Sequence, residues 1–270
     1  MQNNLSKLFR IQRFLNDIKY PDAYRIAREI SEYLNIKKRS NEVEIFKRLH
    51  LEEPWEYVRG SVIFCNNEFK ISKDTLIPRI ETEQLVYECK EYIEKNGIKN
   101  IVDVGTGSGS IVISLASLLK DNIPYSFYAT DISKEALKIA KLNGKKILKT
   151  KKVRWLTTNL IKSVPKFDGP TLIIANLPYI PTEQYEKLEK SVLRYEPRLA
   201  LDGGEDGLQY YKELFEQIKA KELNCKSIYI ETESSIFKES KKLIKKYFPN
   251  SKVRGIKDCF NKERFLKIEL

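Results

Sequence analysis

A regular alternation of apolar strand patterns and helical patterns runs from about residue 100 to the end of the chain, and it limits the possible folds more than any other feature. Strands are predicted at Asn100–Val104, Tyr125–Thr130, Val153–Thr157, Thr171–Ala175 and Ser227–Glu231, near Val253, and over Phe265–Leu270. Helices are predicted from Ser110 to about Lys120, from Lys134 onward, and from about Ser235 to Tyr247. This alternation predicts an α/β sheet with helices on both faces. Ligands bind such sheets beyond the carboxyl ends of the strands, so residues at those ends are the candidates for a site.

The tetrapeptide Asn176-Leu177-Pro178-Tyr179 lies at such a carboxyl end. The Asn176 carboxamide oxygen and the Leu177 carbonyl can each accept one hydrogen from a planar amino group. Pro178 stiffens the loop, and Tyr179 offers a flat face. An amide or aryl –NH2 is a poor nucleophile because its lone pair is delocalised, and holding both hydrogens favours the pyramidal nitrogen needed for attack. We therefore predict Asn176, Pro178 and Tyr179 as catalytic residues, and all four as substrate-binding residues.

A glycine-rich loop follows the first of these strands. It consists of Gly105, Thr106, Gly107, Ser108 and Gly109. Glycines let backbone N–H groups and a helix N-terminus approach a ligand closely. A dinucleotide site prefers the G-x-G-x-x-G spacing, whereas the G-x-G-x-G spacing here favours S-adenosylmethionine. Asp131, after the next strand, is placed to bind ribose hydroxyls. Asn159 follows the third strand, so the loop, Asp131, Asn159 and Asn176 are predicted to converge on one cofactor site.

The chain before the sheet has a different character. Residues 1–60 show helical periodicity and no strand signal, which predicts a small helical domain. Two short apolar segments around Asn66-Asn67 predict a β-hairpin with a two-residue turn. The predicted organisation is a helical domain over 1–60, a hairpin linker over 61–75 and the sheet domain over 76–270, a length sufficient for two cores.

Composition adds a few constraints. The cysteines at 65, 89, 225 and 259 are scattered without a C-x-x-C, so neither a metal site nor a disulfide framework is expected, and a reducing cytoplasm is the predicted location. The one histidine, His50, lies in the helical region, which gives histidine-based catalysis little support. No apolar run is long enough for a membrane span. The net charge of +12 suggests proximity to an anionic surface such as ribosomal RNA, although the lysines are dispersed.

With these residues identified, the chain resembles the PrmC/HemK family, the protein-(glutamine-N5) methyltransferases of class I peptide chain release factors. The resemblance runs from about residue 54 to 210, and the first 50 residues match in helical character alone. Four blocks carry it: Leu76–Glu83 resembles LIPRPETE, Val102–Ser110 resembles VDLGTGSG, Asn176–Pro181 resembles NPPYIP, and Tyr195–Gly207 resembles EPRLAL…GGEDG. Many methyltransferases share the second block, whereas the first and fourth together are far more specific.

The resemblance implies a Rossmann-like class I methyltransferase sheet with a small N-terminal helical domain joined through the hairpin. It implies methyl transfer from S-adenosylmethionine to the glutamine of a release factor's Gly-Gly-Gln loop, with the helical domain holding the factor. Arg79 is expected near the substrate, although a structural ion pair explains it as well. Asn159 and Leu160 stand where the family contacts the cofactor adenine, usually with an acid. Leu177 stands where the family has its first proline, and Thr232-Glu233 where it commonly has glycine.

Several alternatives remain open on the sequence. An adenine-N6 methyltransferase acting on RNA or DNA would use the same tetrapeptide, and a glutamine methyltransferase of a large-subunit ribosomal protein would differ in substrate alone. A degenerate RNA-binding scaffold without cofactor is disfavoured by the intact glycines, Asp131 and Asn176. A nicotinamide oxidoreductase is disfavoured by the loop spacing.

Overall fold

The computed structural model describes residues 2–37 and 41–270, which form two compact units. The first unit is the stretch up to Gly60 together with Glu189–Tyr195, and the second is Ser61–Leu188 together with Glu196–Leu270. The hairpin predicted as a linker therefore belongs to the second unit, and a short segment distant in sequence belongs to the first.

The helices are, in chain order, α1 (Gln2–Asp17), α2 (Ala23–Ile36), α3 (Glu42–His50), α4 (Trp55–Arg59), α5 (Glu81–Asn96), α6 (Ser110–Leu118), α7 (Lys134–Ile147), α8 (Thr182–Tyr185), α9 (Lys190–Tyr195), α10 (Gln209–Lys221) and α11 (Phe237–Tyr247). The strands are β1 (Ser61–Phe64), β2 (Asn67–Lys70), β3 (Asn100–Val104), β4 (Ser126–Asp131), β5 (Val153–Thr157), β6 (Thr171–Ala175), β7 (Cys225–Glu231), β8 (Lys252–Lys257) and β9 (Glu263–Glu269). Across the described ranges, none of the helices combines the length and apolar character needed to cross a membrane.

The first unit is a helical cluster closed around Trp55. Its indole is buried, and its Nε1 donates to Glu29 Oε2 at 3.0 Å. Helix α2 packs an apolar face into this cluster, since Ile26, Ala27, Ile30 and Leu34 are all buried. Helix α9 joins this unit through Tyr195, whose hydroxyl donates to the Leu51 carbonyl at 2.8 Å. A tyrosine side chain suits such a partly exposed contact because its ring is apolar and its hydroxyl is polar.

The second unit is built on a mixed sheet of seven strands in the described residues, in the order β5-β4-β3-β6-β7-β9-β8. The first five strands in this order, from β5 through β4, β3 and β6 to β7, run parallel to one another. Strand β9 pairs antiparallel with β7 and β8. Alternate residues of β6 enter opposite faces: Ile173 packs in the cluster that contains α10 and α11, and Leu172 in the cluster that contains α5 and α6. Burial on both faces explains the continuous apolar runs. The predicted α/β sheet with helices on both faces is confirmed.

The hairpin turn differs from its prediction by one residue. The turn residues are Cys65 and Asn66, with φ of 46° and 60°, while Asn67 is already the first residue of β2 and faces Phe64. Two left-handed residues in a two-residue turn match the right-handed twist of a hairpin. The Cys65 amide donates to Glu83 Oε1 at 2.9 Å, a contact that stabilises Cys65 in the turn rather than in the strand. Asn66-Asn67 was therefore the wrong pair.

Candidate active site

A cavity of about 500 Å³ opens in the second unit at the carboxyl ends of the parallel strands, a size within the usual range for a small-molecule site. Predicted site residues on its wall are Gly105, Thr106, Gly107, Ser108, Asp131, Asn159, Leu160, Asn176, Leu177, Pro178 and Arg79. Gly109 and Tyr179 are not on the wall: Gly109 stands at the N-cap of α6, and the Tyr179 hydroxyl contacts buried groups behind the loop. Strand order explains the convergence, because β3, β4 and β6 are neighbours.

Asp131 organises the glycine-rich loop. Its Oδ2 accepts from the Gly107 N–H at 2.8 Å, and its Oδ1 accepts from the Ser133 N–H at 2.9 Å at the start of α7. Burial raises the pKa of this carboxyl, and the backbone donors oppose that rise. Ser133 also caps α7, since its Oγ accepts from the Ala136 N–H at 3.1 Å. The acid thus joins two of the segments that form the cavity.

Asp103 supports the same loop from beneath. Its Oδ2 accepts from Thr106 Oγ1 at 2.6 Å and from the Val112 N–H at 3.3 Å. Burial raises the pKa of the Asp103 carboxyl to about 7. Within the described chain its Oδ1 has no hydrogen-bond partner, and neither has the buried Oγ of Ser108 on the cavity wall. Unpaired polar atoms in a buried site are unfavourable unless a ligand satisfies them.

The segment after β5 forms the third side of the cavity. Leu160 has φ of 49°, a left-handed conformation rare for a branched aliphatic residue. The Thr158 N–H donates to the Asp131 carbonyl at 3.0 Å, and the Ile161 N–H donates to Gln217 Oε1 at 3.0 Å. These bonds on either side of Leu160 stabilise the strained residue, which is typical of a binding loop.

The tetrapeptide is held from behind by two residues outside it, Tyr211 and Glu231. The Leu177 N–H donates to the Tyr211 hydroxyl at 3.3 Å, and that hydroxyl donates to the Glu231 carbonyl. Asn176 Nδ2 donates to Glu231 Oε2 at 3.0 Å, and the Tyr179 hydroxyl donates to Glu231 Oε1 at 3.3 Å. Burial raises the pKa of the Glu231 carboxyl to about 7.

Glu231 escaped the sequence-based prediction, although a signal for it existed. It ends a buried parallel strand, as Asp131 does, and β7 lies beside β6 in the sheet. The rule that selects an acid at the carboxyl end of a parallel strand would have selected it too.

The Gly203–Gly207 segment packs against the tetrapeptide. The Gly203 N–H donates to the Ile180 carbonyl at 2.8 Å, and the Ile180 N–H donates to the Leu201 carbonyl at 3.1 Å. A Cβ on Gly203 would lie 2.7 Å from the Pro178 carbonyl oxygen and 2.8 Å from Tyr179 Cα. Only glycine permits this approach, so two separated sequence blocks form a single loop structure.

Arg79 reaches the cavity wall but is bound to a neighbour. Its Nη2 lies 2.6 Å from Glu196 Oε1, and Glu196 Oε2 accepts from the Ile77 N–H at 3.3 Å. The Glu196 side chain is 2% exposed, against 38% for that of Arg79. The ion pair therefore fixes the 76–83 segment beside the cavity, with part of the Arg79 side chain exposed.

The donor set fits S-adenosylmethionine. The carboxylate of Asp131 suits a ribose diol, and the Gly105–Gly109 backbone leaves room beside the N-terminus of α6. Ser108 Oγ supplies a buried polar atom that lacks a protein partner among the described residues. Asn159 adds a neutral amide to the cavity wall. Among these same residues no cluster of three metal-binding side chains occurs.

Three proteins similar in sequence carry the same name. The release factor glutamine methyltransferase of Dictyoglomus turgidum is 35% identical over 216 residues, covering 80% of this chain and 75% of that protein. The Bacillus subtilis protein of the same name is 36% identical over 236 residues, covering 83% and 79%. The Lactococcus lactis protein is 32% identical over 226 residues, covering 84% and 81%. A scan against protein-family models finds no match.

Solved structures agree on the fold. The human METTL16 catalytic domain, solved with an RNA hairpin, superposes with a TM-score of 0.58 at 12% identity, covering 86% of this chain and 94% of that one. The Thermus thermophilus 16S rRNA N2 G1207 methyltransferase gives 0.51 at 11% identity, covering 77% and 49%. Identities this low establish the methyltransferase fold alone, which confirms the predicted fold class. The identity and coverage of the sequence relatives establish more: this chain belongs to the release factor glutamine methyltransferase family.

Proposed function

We propose that this chain transfers a methyl group from S-adenosylmethionine to the side-chain amide nitrogen (N5) of the glutamine in the Gly-Gly-Gln loop of a class I peptide chain release factor. The observation that carries the proposal is the convergence of Asp131, the Gly105–Gly109 loop and Asn176 on one cavity. The family of the chain names the acceptor as a release factor glutamine.

The acceptor amide is held by two oxygen atoms. Asn176 Oδ1 and the Leu177 carbonyl each accept one hydrogen of the glutamine –NH2. The two acceptors belong to consecutive residues on the cavity wall, and the Tyr211 hydroxyl fixes the Leu177 amide behind them. Holding both hydrogens favours the pyramidal nitrogen of the transition state over the planar ground state.

The cofactor, when bound, supplies the methyl group: a carbon–sulfur bond breaks as the nitrogen–carbon bond forms. Asp131 would hold the ribose, and the Gly105–Ser108 segment and Leu160, which line the cavity, would hold the rest of the nucleoside. Once alkylated, the amide nitrogen is acidic and releases its proton to solvent, so no strong base is required. Acceleration comes from positioning the amide and from excluding water around the reacting atoms.

Substrate recognition beyond the amide is assigned to two regions. Arg79, which lines the cavity and whose side chain is 38% exposed, is proposed to contact the factor near its glutamine. The helical unit up to Gly60, which retains its own buried core, is proposed to bind the body of the factor. Release factors act in the cytoplasm, where we place this protein, and its net charge of +12 supports activity close to ribosomal RNA.

Methyl transfer from labelled S-adenosylmethionine to a purified class I release factor tests the proposal. The wild-type factor is compared with one whose Gly-Gly-Gln glutamine is replaced, and Asn176→Ala enzyme is run beside wild-type enzyme. Label on the wild-type factor alone, lost with Asn176→Ala, is the expected result.

Two other classes of methyl acceptor, nucleic acid and a large-subunit ribosomal protein, are tested in the same assay. Absence of label on the factor, with cofactor binding intact, would exclude the proposed substrate. Label on RNA or DNA would then identify an adenine-N6 enzyme, since an aryl –NH2 fits the same pair of acceptors. Label on a large-subunit ribosomal protein would identify the closest alternative.

A further inference from the structure

Behind Asn176, away from the cavity, lies a buried carboxylate whose side chain contacts two other segments of the second unit. Glu231 is 2% exposed and ends β7. Its Oε2 accepts from Asn176 Nδ2 at 3.0 Å and from Thr82 Oγ1 of α5 at 2.7 Å, and its Oε1 accepts from the Tyr179 hydroxyl at 3.3 Å. One side chain therefore contacts α5 and both polar residues of the tetrapeptide.

An ionised carboxylate can only accept hydrogen bonds, whereas a carboxamide has one donating and one accepting end. The end of Asn176 that faces Glu231 must therefore be Nδ2, and Oδ1 must point elsewhere. In the part of the chain that the structure describes, no donor is paired with Oδ1, while Asn176 itself lines the cavity. The acceptor end of the amide is thus available to a ligand, which is the orientation that an –NH2 group requires.

We propose that Glu231 is a positioning residue that fixes the orientation of the Asn176 carboxamide and so presents Oδ1 to the substrate –NH2. This inference rests on the proposed function, because it assigns the acceptor end of Asn176 to the acceptor glutamine. Glu231 does not reach the substrate itself: Thr82 and Asn176 line the cavity, and the carboxylate lies behind them. Because the carboxylate does not reach the substrate, Glu231 is not positioned to accept a proton from the substrate nitrogen.

The surroundings of Glu231 decide its charge. Arg264 of β9 favours the carboxylate, and Glu81 of α5 opposes it. The Tyr179 hydroxyl, which Arg264 Nη1 approaches at 3.5 Å, donates to it. A protonated Glu231 would gain a donor of its own and would lose the ability to impose one orientation on Asn176. The acidic limb of the pH–rate profile is therefore expected to follow this group.

Glu231→Gln is the decisive variant, because glutamine keeps the shape and can present either end to Asn176. We expect kcat for methylation of the release factor to fall about 10- to 100-fold, with the dissociation constant for S-adenosylmethionine unchanged within about twofold, since Asp131 and its loop are untouched. The decline of kcat below pH of about 7 in the wild type should disappear in the variant. Glu233→Gln, the same substitution two residues further on, is the matched control and should retain wild-type kcat.

A purely structural role would lower the melting temperature and leave kcat and its pH profile unchanged, and that result would overturn the inference. Thr82→Val, which removes one donor to the carboxylate without touching Asn176, is the second variant should Glu231→Gln fold poorly. Like Glu231→Gln, it is expected to lower kcat, here by about two- to tenfold.

Failure of the proposed function would look different. Wild-type enzyme would then bind S-adenosylmethionine and methylate no release factor. In that case the contact between Glu231 and Asn176 is tested by stability measurements, which do not require turnover. Urea midpoints of the wild type, Asn176→Ala, Glu231→Gln and the double variant form a cycle. If the double variant loses less stability than the sum of the losses in the two single variants, the contact between Glu231 and Asn176 is supported. Strict additivity of the losses overturns it.

Discussion

Replacement of Gly105 by alanine tests whether the cofactor loop and the tetrapeptide are packed as one unit. Gly105 has φ of +70°, so an alanine there has left-handed backbone strain of about 1–2 kcal/mol. Its Cβ would also lie 2.8 Å from Leu177 Cδ2. Leu177 is 4% exposed and lines the cavity, so its side chain must either rotate toward the cavity or displace buried neighbours. Overpacking of this kind costs about 1–3 kcal/mol, which gives a total loss in unfolding free energy of about 2–5 kcal/mol.

Gly107→Ala is the matched control, because Gly107 has φ of +55° and nothing lies within 4 Å of the added Cβ. Its loss in unfolding free energy should be the backbone strain alone, about 1–2 kcal/mol. Urea unfolding of the wild type and both variants measures the difference. In a Leu177→Ala background the clash partner is gone, so the cost of Gly105→Ala should fall to that of Gly107→Ala. Equal losses at Gly105 and Gly107 in the wild-type background would refute the packing argument.

Three further predictions concern charge and hydrogen bonding at the site. Burial raises the pKa of Glu231 from 4.5 to about 7, so the folded state binds this proton more tightly than the unfolded state does. The proton therefore stabilises the folded state at low pH, and this stabilisation is lost as the pH rises from 4.5 to about 7. Relative to Glu231→Gln, wild-type unfolding free energy should fall by about 3 kcal/mol between pH 4 and 8, and parallel pH curves would contradict this. Asn159→Asp should tighten cofactor binding by about 1 kcal/mol, because a charged acceptor binds an adenine amino group more strongly; calorimetry showing no gain would contradict it. Leu177→Pro removes the N–H that donates to Tyr211 and should lower unfolding free energy by about 1 kcal/mol more in the wild type than in a Tyr211→Phe background, as urea unfolding would show.

Most of the sheet could be predicted because its central strands, such as β3 and β6, are buried on both faces. Strands β3, β5 and β6 begin and end at the predicted residues, and β7 extends its prediction by two residues to Cys225. A run such as Thr171–Ala175 is apolar at every position except its first, so neither the strand nor its ends are ambiguous. The last helix begins at Phe237 rather than Ser235, within the usual error for a helix end.

Elements that depend on tertiary contacts escaped prediction. The membership of α9 in the first unit depends on contacts such as that of Tyr195 with Leu51, which are 144 positions apart. The hairpin turn was displaced by one residue because its position depends on Glu83, which the local pattern does not include. Helices α5 and α10 carry few strong local signals, and the residues they contribute to the site, Thr82 and Tyr211, act through strand β7.

The cavity residues themselves were largely predictable, since the topology of a parallel sheet places strand ends together whatever their separation in sequence. The groups behind them were less so. Arg79 illustrates the limit: its position beside the site follows from the resemblance, whereas its pairing with Glu196, 117 positions away, could only come from the structure. Sequence patterns identify which residue types meet at a site, and long-range hydrogen bonds decide which of their atoms are available.

Three carboxylates, of which two are buried and Asp131 is half-buried, show how this site is organised. Asp103, Asp131 and Glu231 end or nearly end β3, β4 and β7, and burial raises the pKa of each. Each accepts from loop donors: Thr106, Gly107 and Asn176 respectively. The raised pKa means that each carboxyl binds a proton more readily than it would in water, and protonation would weaken the bonds that hold its loop, so the loop-holding role belongs to the ionised form. The acids therefore fix the loops, and the cavity presents neutral acceptors to the amide. That division suits a reaction in which the nitrogen must be held and reshaped in the transition state and can lose its proton afterwards.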